Sequence, residues 1–583
     1  MKIPTAALIV IFLIISCGGS SSDSGKKPDA REPDPSIEGI ELSSNSVKNG
    51  TGAAVFFDAR VSGTGFFIRD LEWSVDPAEA GTVTGDGLFI ADMNYSGEYT
   101  ITVTAAADTD VQLTASRSLD TEMSCVCVDL RNETATENGT ARYPYKTIQA
   151  AADAADSGDA IRIAAGEYPG QVNLPAGKNL FLLGGFAGGD DYAVSAGDFN
   201  TRDTAANPVE ITAPGADGVV RLENISNYTL TTVVIDGVTV SGGKRGIFMT
   251  DTSGSVNITA VISNCVIESN TGFVSGDDYG GGISMQGIIP RLYGSTVRNN
   301  SCGKGGGISI DLRDPDYSGV IARSLIYGNT AYSDHGGGAY LTVYSAVVTG
   351  NEFYNNTIDY GWGWGGGLIV VGSMYDGYND SLYVELTGNK YYSNSAPSRG
   401  GGLFIDEGAN VRLCNELVHG NTAPDGGAGI YIDGERGTGR AETRIYNTTA
   451  AMNTGSAAGG GIYLDENTEV YVKNSIIYGN EGTQIFTHTG SSIAVTYSGI
   501  AETFPGKGNI SSDPLFAAPE NGDFHLQSSA GRWDPSLQTW VNDPNDSPCI
   551  NSGDPLSPYN YEPAPNGSRV NMGAYANTPY AGR

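Results

Sequence analysis

Asp406, Asp433 and Asp465 each stand four residues past a glycine-rich tripeptide, and Asp311 does so further upstream. If the tripeptides are in register in the fold, the three later carboxylates stack about 4.8 Å apart, the spacing of neighbouring strands. Like charges at that separation repel by about 1 kcal/mol in water and several times more near a protein surface. Three arrangements answer the repulsion: the side chains splay into solvent as turn residues, one takes up a proton, or a cation such as calcium sits between them. A separation of about 5 Å also suits the carboxylate pair of a retaining glycosidase, provided other residues place a sugar. Glu407 and Glu466 add charge to the same column.

Aromatic side chains recur beside these acids. Tyr340, Phe404, Tyr431 and Tyr463 hold the middle position of the short alternating runs after the tripeptides, and Lys304, His335, Trp364 and Arg399 come just before them. Aromatic faces beside polar groups on a long rigid surface make a saccharide-binding strip. The same pattern also serves sheet stability through cross-strand contact. Trp362 and Trp364 have glycine on both sides, which predicts exposure, and a large exposed indole points to contact with a ligand.

No catalytic residue is assigned. The chain holds no Gly-x-Ser-x-Gly, no His-Glu-x-x-His and no phosphate-binding Gly-x-x-x-x-Gly-Lys motif. Gly361-Trp362-Gly363-Trp364-Gly365-Gly366 matches Gly-x-Gly-x-x-Gly formally but sits among strands with no helix after it, so it fails as a dinucleotide loop.

The elements that carry these residues follow from the tripeptides themselves. Gly280-Gly281-Gly282, Gly305-Gly306-Gly307, Gly336-Gly337-Gly338, Gly365-Gly366-Gly367, Gly400-Gly401-Gly402 and Gly459-Gly460-Gly461 recur with a degenerate copy, Gly426-Gly427-Ala428-Gly429. Successive starts are 25 to 35 residues apart, a solenoid period. Each tripeptide leads into a run of period two, such as Leu403-Phe404-Ile405 or Ile462-Tyr463-Leu464, and no run of helical period intervenes between about 210 and 500. Short strands stacked between turns give a parallel β-helix. Asn270, Asn300, Asn329, Asn356, Asn394, Asn421 and Asn453 precede the tripeptides and suit tight corners, where asparagine tolerates the left-handed backbone.

The chain here resembles the right-handed parallel β-helix proteins of the pectin-lyase-like group. Pro144-Tyr145-Lys146-Thr147-Ile148-Gln149-Ala150-Ala151 and Gly158-Asp159-Ala160-Ile161-Arg162-Ile163 look like that group's capping helix and first strand. The asparagine and glycine repeats resemble those of polymorphic outer-membrane proteins. Asp513-Pro514-Leu515-Phe516, Gly522-Asp523-Phe524-His525-Leu526 and Asn571-Met572-Gly573-Ala574-Tyr575 are similar to the C-terminal coil of bacterial surface β-helix proteins. Neither the calcium-and-base set of pectate lyases nor the aspartate motifs of polygalacturonases can be matched residue by residue.

Ahead of the solenoid, Met1-Lys2 and the apolar run Ala6–Ile15 end in Ile14-Ile15-Ser16-Cys17, which looks like a lipobox. That resemblance implies that residues 1–17 are a signal peptide, that Cys17 carries lipid, and that Gly18 sends the protein to the outer membrane or cell surface. Residues 18–36, rich in Gly, Ser, Asp and Pro, are expected to be a tether. Residues 37–118 hold short strands around Trp73 and resemble a bacterial Ig-like β-sandwich, expected as a separate spacer unit. The β-helix is expected over 125–583, with a cap region at 512–577. Besides Cys17 there are six cysteines, too widely spread to name a pairing.

The formal net charge of −33 repels phosphate backbones, so nucleic acid is excluded as a partner. The expectation is an all-β, lipid-anchored, monomeric and non-catalytic surface protein. It would bind polysaccharide or another cell surface, with calcium as the one cofactor its acidic column accommodates. A polysaccharide lyase or glycoside hydrolase, and a passive stalk or coat component, are the rival readings.

Overall fold

The computed structural model describes residues 36–583 except 45–49, 52–53, 65–70, 96, 106–107, 124, 225–230, 254–255, 273–277, 360, 373–382, 435–440 and 456–457. Cys17 and its lipobox lie outside the described residues, as does the tether up to residue 35. No helix among the described residues is long and apolar enough to cross a membrane.

From Cys125 to Ile500 the chain winds as a parallel β-helix with three sheets of 14, 12 and 11 strands. One coil shows the plan. Leu403–Asp406 joins the eleven-stranded sheet, Val411–Cys414 the fourteen-stranded sheet and Leu417–His419 the twelve-stranded sheet, after which a turn leads to the next glycine-rich tripeptide. Strands pair in parallel with those of the next coil, as Leu403–Ile405 does with Ile430–Ile432. Alternate residues point inward and form one continuous apolar core along the solenoid, in which Ile405, Ile432 and Leu464 are fully buried. A short helix, Ile148–Ala154, closes the first coils; Thr147 accepts from the Ala150 N–H at its N-terminus, and Ile148, Ala151 and Ala152 are buried.

The glycine tripeptides have a steric cause. The first glycine turns the chain through the left-handed region, as Gly280 does at φ +69°. The third faces the next coil: a Cβ on Gly282 would lie 2.7 Å from the Gly307 carbonyl oxygen and 2.9 Å from Asn300 Nδ2. The asparagines sit differently from expectation. The left-handed residues are their predecessors, including Ser269, Asn299, Asn355 and Ser393. The asparagines themselves turn inward, fully buried, and each Nδ2 donates to the Oδ1 of the next coil's asparagine, from Asn270 to Asn300 at 2.9 Å and onward to Asn480. A buried amide ladder satisfies polar groups that a corner alone would leave to water. At another corner a second ladder runs from Asn351 through Asn389 to Glu416, which is fully buried.

The N-terminal unit is two four-stranded sheets, one of Ser36–Ser44, Ala54–Thr64, Leu88–Ala91 and Gly81–Val83, the other of Gly50–Thr51, Asp108–Met123, Gly97–Ala105 and Leu71–Asp76. They enclose Val55, Phe57, Phe89, Tyr99 and Ile101. The last strand runs past residue 118 to Met123, leaving a single residue before the first coil strand at Cys125. The unit is also docked rather than detached. Ala54, Phe56, Leu88 and Ile90 share a core with Cys125, Phe181 and Val234 of the solenoid. Buried Arg162 donates to the carbonyls of Ala91 at 2.6 Å and Phe199 at 2.7 Å, and buried Arg291 pairs with Asp58 at 3.1 Å.

The chain after Ile500 does not add another coil to the three sheets. It makes two hairpins, Phe516–Ala518 with Asp523–Leu526 and Arg532–Asp534 with Thr539–Val541, and packs on the flank of the solenoid. There Phe516, Phe524, Leu526 and Met572 cover Leu417, Ala451 and Ile476. The six described cysteines are all buried, and none forms a disulfide.

Candidate functional site

The eleven-stranded sheet presents the middle residue of each strand to the outside of the solenoid, and in consecutive coils these are Tyr340, Ile369, Phe404, Tyr431, Tyr463 and Phe486. Their rings stack nearly parallel, with centroids 4.8 Å apart for Phe404–Tyr431, 4.7 Å for Tyr431–Tyr463 and 4.6 Å for Tyr463–Phe486. Ile369 interrupts the stack. Trp364, from the turn before the tripeptide, extends it with its ring 5.4 Å from Phe404 and 4.4 Å from His335.

This corrects the expectation of an open aromatic strip. Flat rings one coil apart cover one another's faces, so Phe404 and Tyr431 are buried while Tyr340, Trp364 and Tyr463 are half-buried. Of the two glycine-flanked tryptophans, only Trp362 stands clear, 72% exposed.

Polar groups flank the stack on both sides. On the side of the tripeptides, Lys304 pairs with Asp334 at 2.5 Å, and His335 Nε2 meets the same carboxylate at 2.5 Å. The Trp364 backbone N–H donates to His335 Nδ1 at 3.1 Å, so the ring is held from both nitrogens. Arg399 lies over Trp364 and Tyr431, 5.9 and 5.2 Å from their centroids, and reaches Asp465 at 3.4 Å.

On the other side the acidic column is in register. The Asp433 N–H donates to Ile405 O and the Asp465 N–H to Ile432 O, both at 2.8 Å, which sets each acid one coil beyond the last. The three carboxylates nonetheless differ. Asp465 accepts from the Tyr431 hydroxyl at 2.5 Å and faces Arg399. Asp406 is buried at 9% exposure. Burial, the Asp433 charge and the Glu407 charge push its carboxyl up to about 7. Asp311 is not part of the stack: Thr342 and Val371 separate it from Asp406 in the register, and it pairs with Arg313 at 2.6 Å.

The column continues to a residue that sequence reasoning missed. The His488 N–H donates to Leu464 O at 2.9 Å, placing His488 one coil past Asp465. It follows no glycine triplet, so counting from tripeptides could not find it. Asp465, Glu466 and His488 each offer a ligand atom, all within 4.8 Å of one another, a set of donors that could hold a cation.

No curated protein matches the chain. Solved structures similar over much of its length include two enzymes. A pectate lyase, Pel9A, is 14% identical with a TM-score of 0.36, covering 78% of this chain and 96% of the lyase. A family 28 exopolygalacturonase from Yersinia enterocolitica is 10% identical with a TM-score of 0.29, covering 79% of this chain and 98% of that enzyme. At these scores neither enzyme's chemistry transfers to this chain. Residues 490–553 match a family model described as disaggregatase related. Residues 373–506, which include Phe404, Tyr431, Asp433 and Asp465, match the model of the right-handed β-helix region.

Proposed function

We propose that this is a lipid-anchored, non-catalytic surface protein whose eleven-stranded face binds glycan or another cell surface. The observation that carries the reading is Trp362, 72% exposed and two residues before Trp364, whose ring stacks on His335 and lies under Arg399. An exposed indole on a turn that also carries polar contacts suits the apolar face and hydroxyl edge of a sugar ring. Calcium at the acidic column belongs to the same proposal, with Asp406, Asp433 and Asp465 joined by Glu466 and His488. Cys17 supplies the membrane attachment, at the outer membrane or cell surface.

A second reading has one observation in its favour. Asp406, held near neutral protonation beside Asp433, resembles the unequal carboxylates of a glycoside hydrolase. Burial of Asp406 weighs against it, since a general acid must reach the glycosidic oxygen. The test is incubation of the protein with neutral and acidic polysaccharides, with and without calcium, measuring retention and released products together. Retention without products supports the binding reading. Release of reducing or unsaturated ends, abolished by Asp406→Asn, establishes the enzyme instead.

A further inference from the structure

We infer that the C-terminal segment closes a second binding site, for a small acidic saccharide, on the opposite flank from the aromatic stack. A cavity of about 650 Å³ lies between this segment and the corner where the fourteen-stranded sheet turns into the twelve-stranded one. That volume falls within the range of small-ligand pockets, about 300–1,000 Å³. The corner itself is fixed, because Asn415 Nδ2 donates to the carbonyls of Ala574 at 2.9 Å and Ala576 at 2.7 Å.

The lining inverts the charge of the chain. The sequence has 66 acidic and 33 basic residues, yet Arg323, Lys390, Arg412 and Arg444 line this cavity against one carboxylate, Glu385. Glu352 and Glu442, which pair with Lys390 and Arg444, are not part of the lining. Arg412 is only loosely paired. Among the described residues its nearest carboxylate oxygen, on Glu385, is 4.0 Å away, its guanidinium lies 3.8 Å from the Tyr383 ring centroid, and its buried Nε has no hydrogen-bond partner. An underpaired guanidinium in a walled cavity favours an anion over water.

The wall contributed by the C-terminal segment supplies ring faces and one further polar atom. Trp533 and Tyr580 line the cavity with rings 5.5 Å apart, and Tyr580 is half-exposed at 50%. His525, 4% exposed, stacks on Tyr575 at 3.6 Å and is anchored through Nδ1 to Asp523 at 2.6 Å. Asp523 is itself paired with Arg532 at 3.1 Å, so the imidazole is oriented from behind and its buried Nε2 is left without a partner. Cations, aromatic faces and an unpartnered histidine nitrogen in one cavity match a sugar carrying carboxylate or sulfate: the anion on Arg412 and Arg444, the ring on Trp533 or Tyr580. The inference is independent of the eleven-stranded face.

The test is titration calorimetry on the full-length protein in detergent. The probes are a uronic-acid disaccharide, its methyl ester, a sulfated disaccharide and a neutral disaccharide. At least one anionic probe should bind, at least about ten-fold more tightly than the ester and the neutral sugar, and more weakly as salt rises. Which of the two anionic probes binds identifies the acid group. Arg412→Ala and Trp533→Ala should each weaken binding about ten-fold or more, with Arg412→Lys retaining part of it, whereas Val194→Ala, at an exposed position outside the cavity, should leave it unchanged. If Arg412→Ala fails to fold, the surface variant Tyr580→Ala takes its place, with the same expected loss. Absence of binding by both anionic probes, equal binding of acid and ester, or full affinity in the folded variants would overturn the inference.

Discussion

The Tyr431 hydroxyl donates to Asp465, one coil further along the solenoid, at 2.5 Å. The ring carrying that hydroxyl is buried between Phe404 and Tyr463, and the Asp465 carboxylate and the stacked ring hold the phenol well above its ordinary protonation range, with burial the largest cause. One side chain therefore ties the aromatic stack to the acidic column.

Tyr431→Ser should consequently be costly. It removes a buried ring and strands a polar partner, which together predict a loss of roughly 3–5 kcal/mol, comparable to Ile432→Asp in the core. Tyr431→Phe keeps the ring and should cost about 1–2 kcal/mol. Urea denaturation measures both. A loss below about 1 kcal/mol for Tyr431→Ser, the value an exposed position would give, would show that the stack does not bury this ring.

Stability should fall as the pH rises from about 4 to about 8. Burial pushes Asp406 up from 3.8 to about 7 and Glu416 up from 4.5 to about 8. Between the ordinary and raised values the folded chain holds protons that the unfolded chain has released, so unfolding becomes easier with each step in pH and levels off above about 8. Glu416→Gln and Asp406→Asn should each flatten the profile and leave the variant more stable than the parent at pH 8. Denaturation midpoints across pH 4–9 check this; an unchanged slope in both variants would contradict the assigned protonation.

Calcium should raise the melting temperature of the parent protein, because only the folded coils bring Asp433 and Asp465 to successive positions. Asp433→Asn should remove that increment and, in metal-free buffer, stabilise the protein by relieving its repulsion of Asp406. Equal melting curves with and without calcium would reduce the column to carboxylates neutralised by a proton, by Tyr431 and by Arg399.

Cys17→Ser should abolish lipid labelling and release the protein from membranes. Unchanged labelling together with unchanged membrane retention would remove the anchor from the account.

The solenoid was legible in the sequence because each coil repeats one steric demand. A tight left-handed entry and two positions without room for a Cβ leave glycine at Gly280-Gly281-Gly282 and its copies, and the alternation after them sets which side chains enter the core. Inward Ile432 and Leu464, and the register of Asp406, Asp433 and Asp465, follow from that count alone. What the count could not supply is lateral cover. Whether an outward ring is open depends on the ring one coil away and on the turns beside it, so Phe404 and Tyr431 are buried while Trp362 is not. The asparagines suit corners by their backbone tolerance, whereas their side chains form a ladder through the interior. The flank cavity was invisible for a different reason: Arg412 and Arg444 are paired in adjacent coils, but Trp533 joins them only because the C-terminal segment folds back.

Glycan retention by Trp362→Ala decides whether this protein has a glycan-binding face. Trp362 is exposed and outside the stack, so the variant should melt within a degree or two of the parent. Affinity chromatography on whichever polysaccharide retains the parent should show retention lost or weakened about ten-fold or more in this variant, with no product released by either protein. Undiminished retention by a folded Trp362→Ala, or retention of neither protein on any polysaccharide tested, would contradict a glycan-binding face and leave a passive stalk.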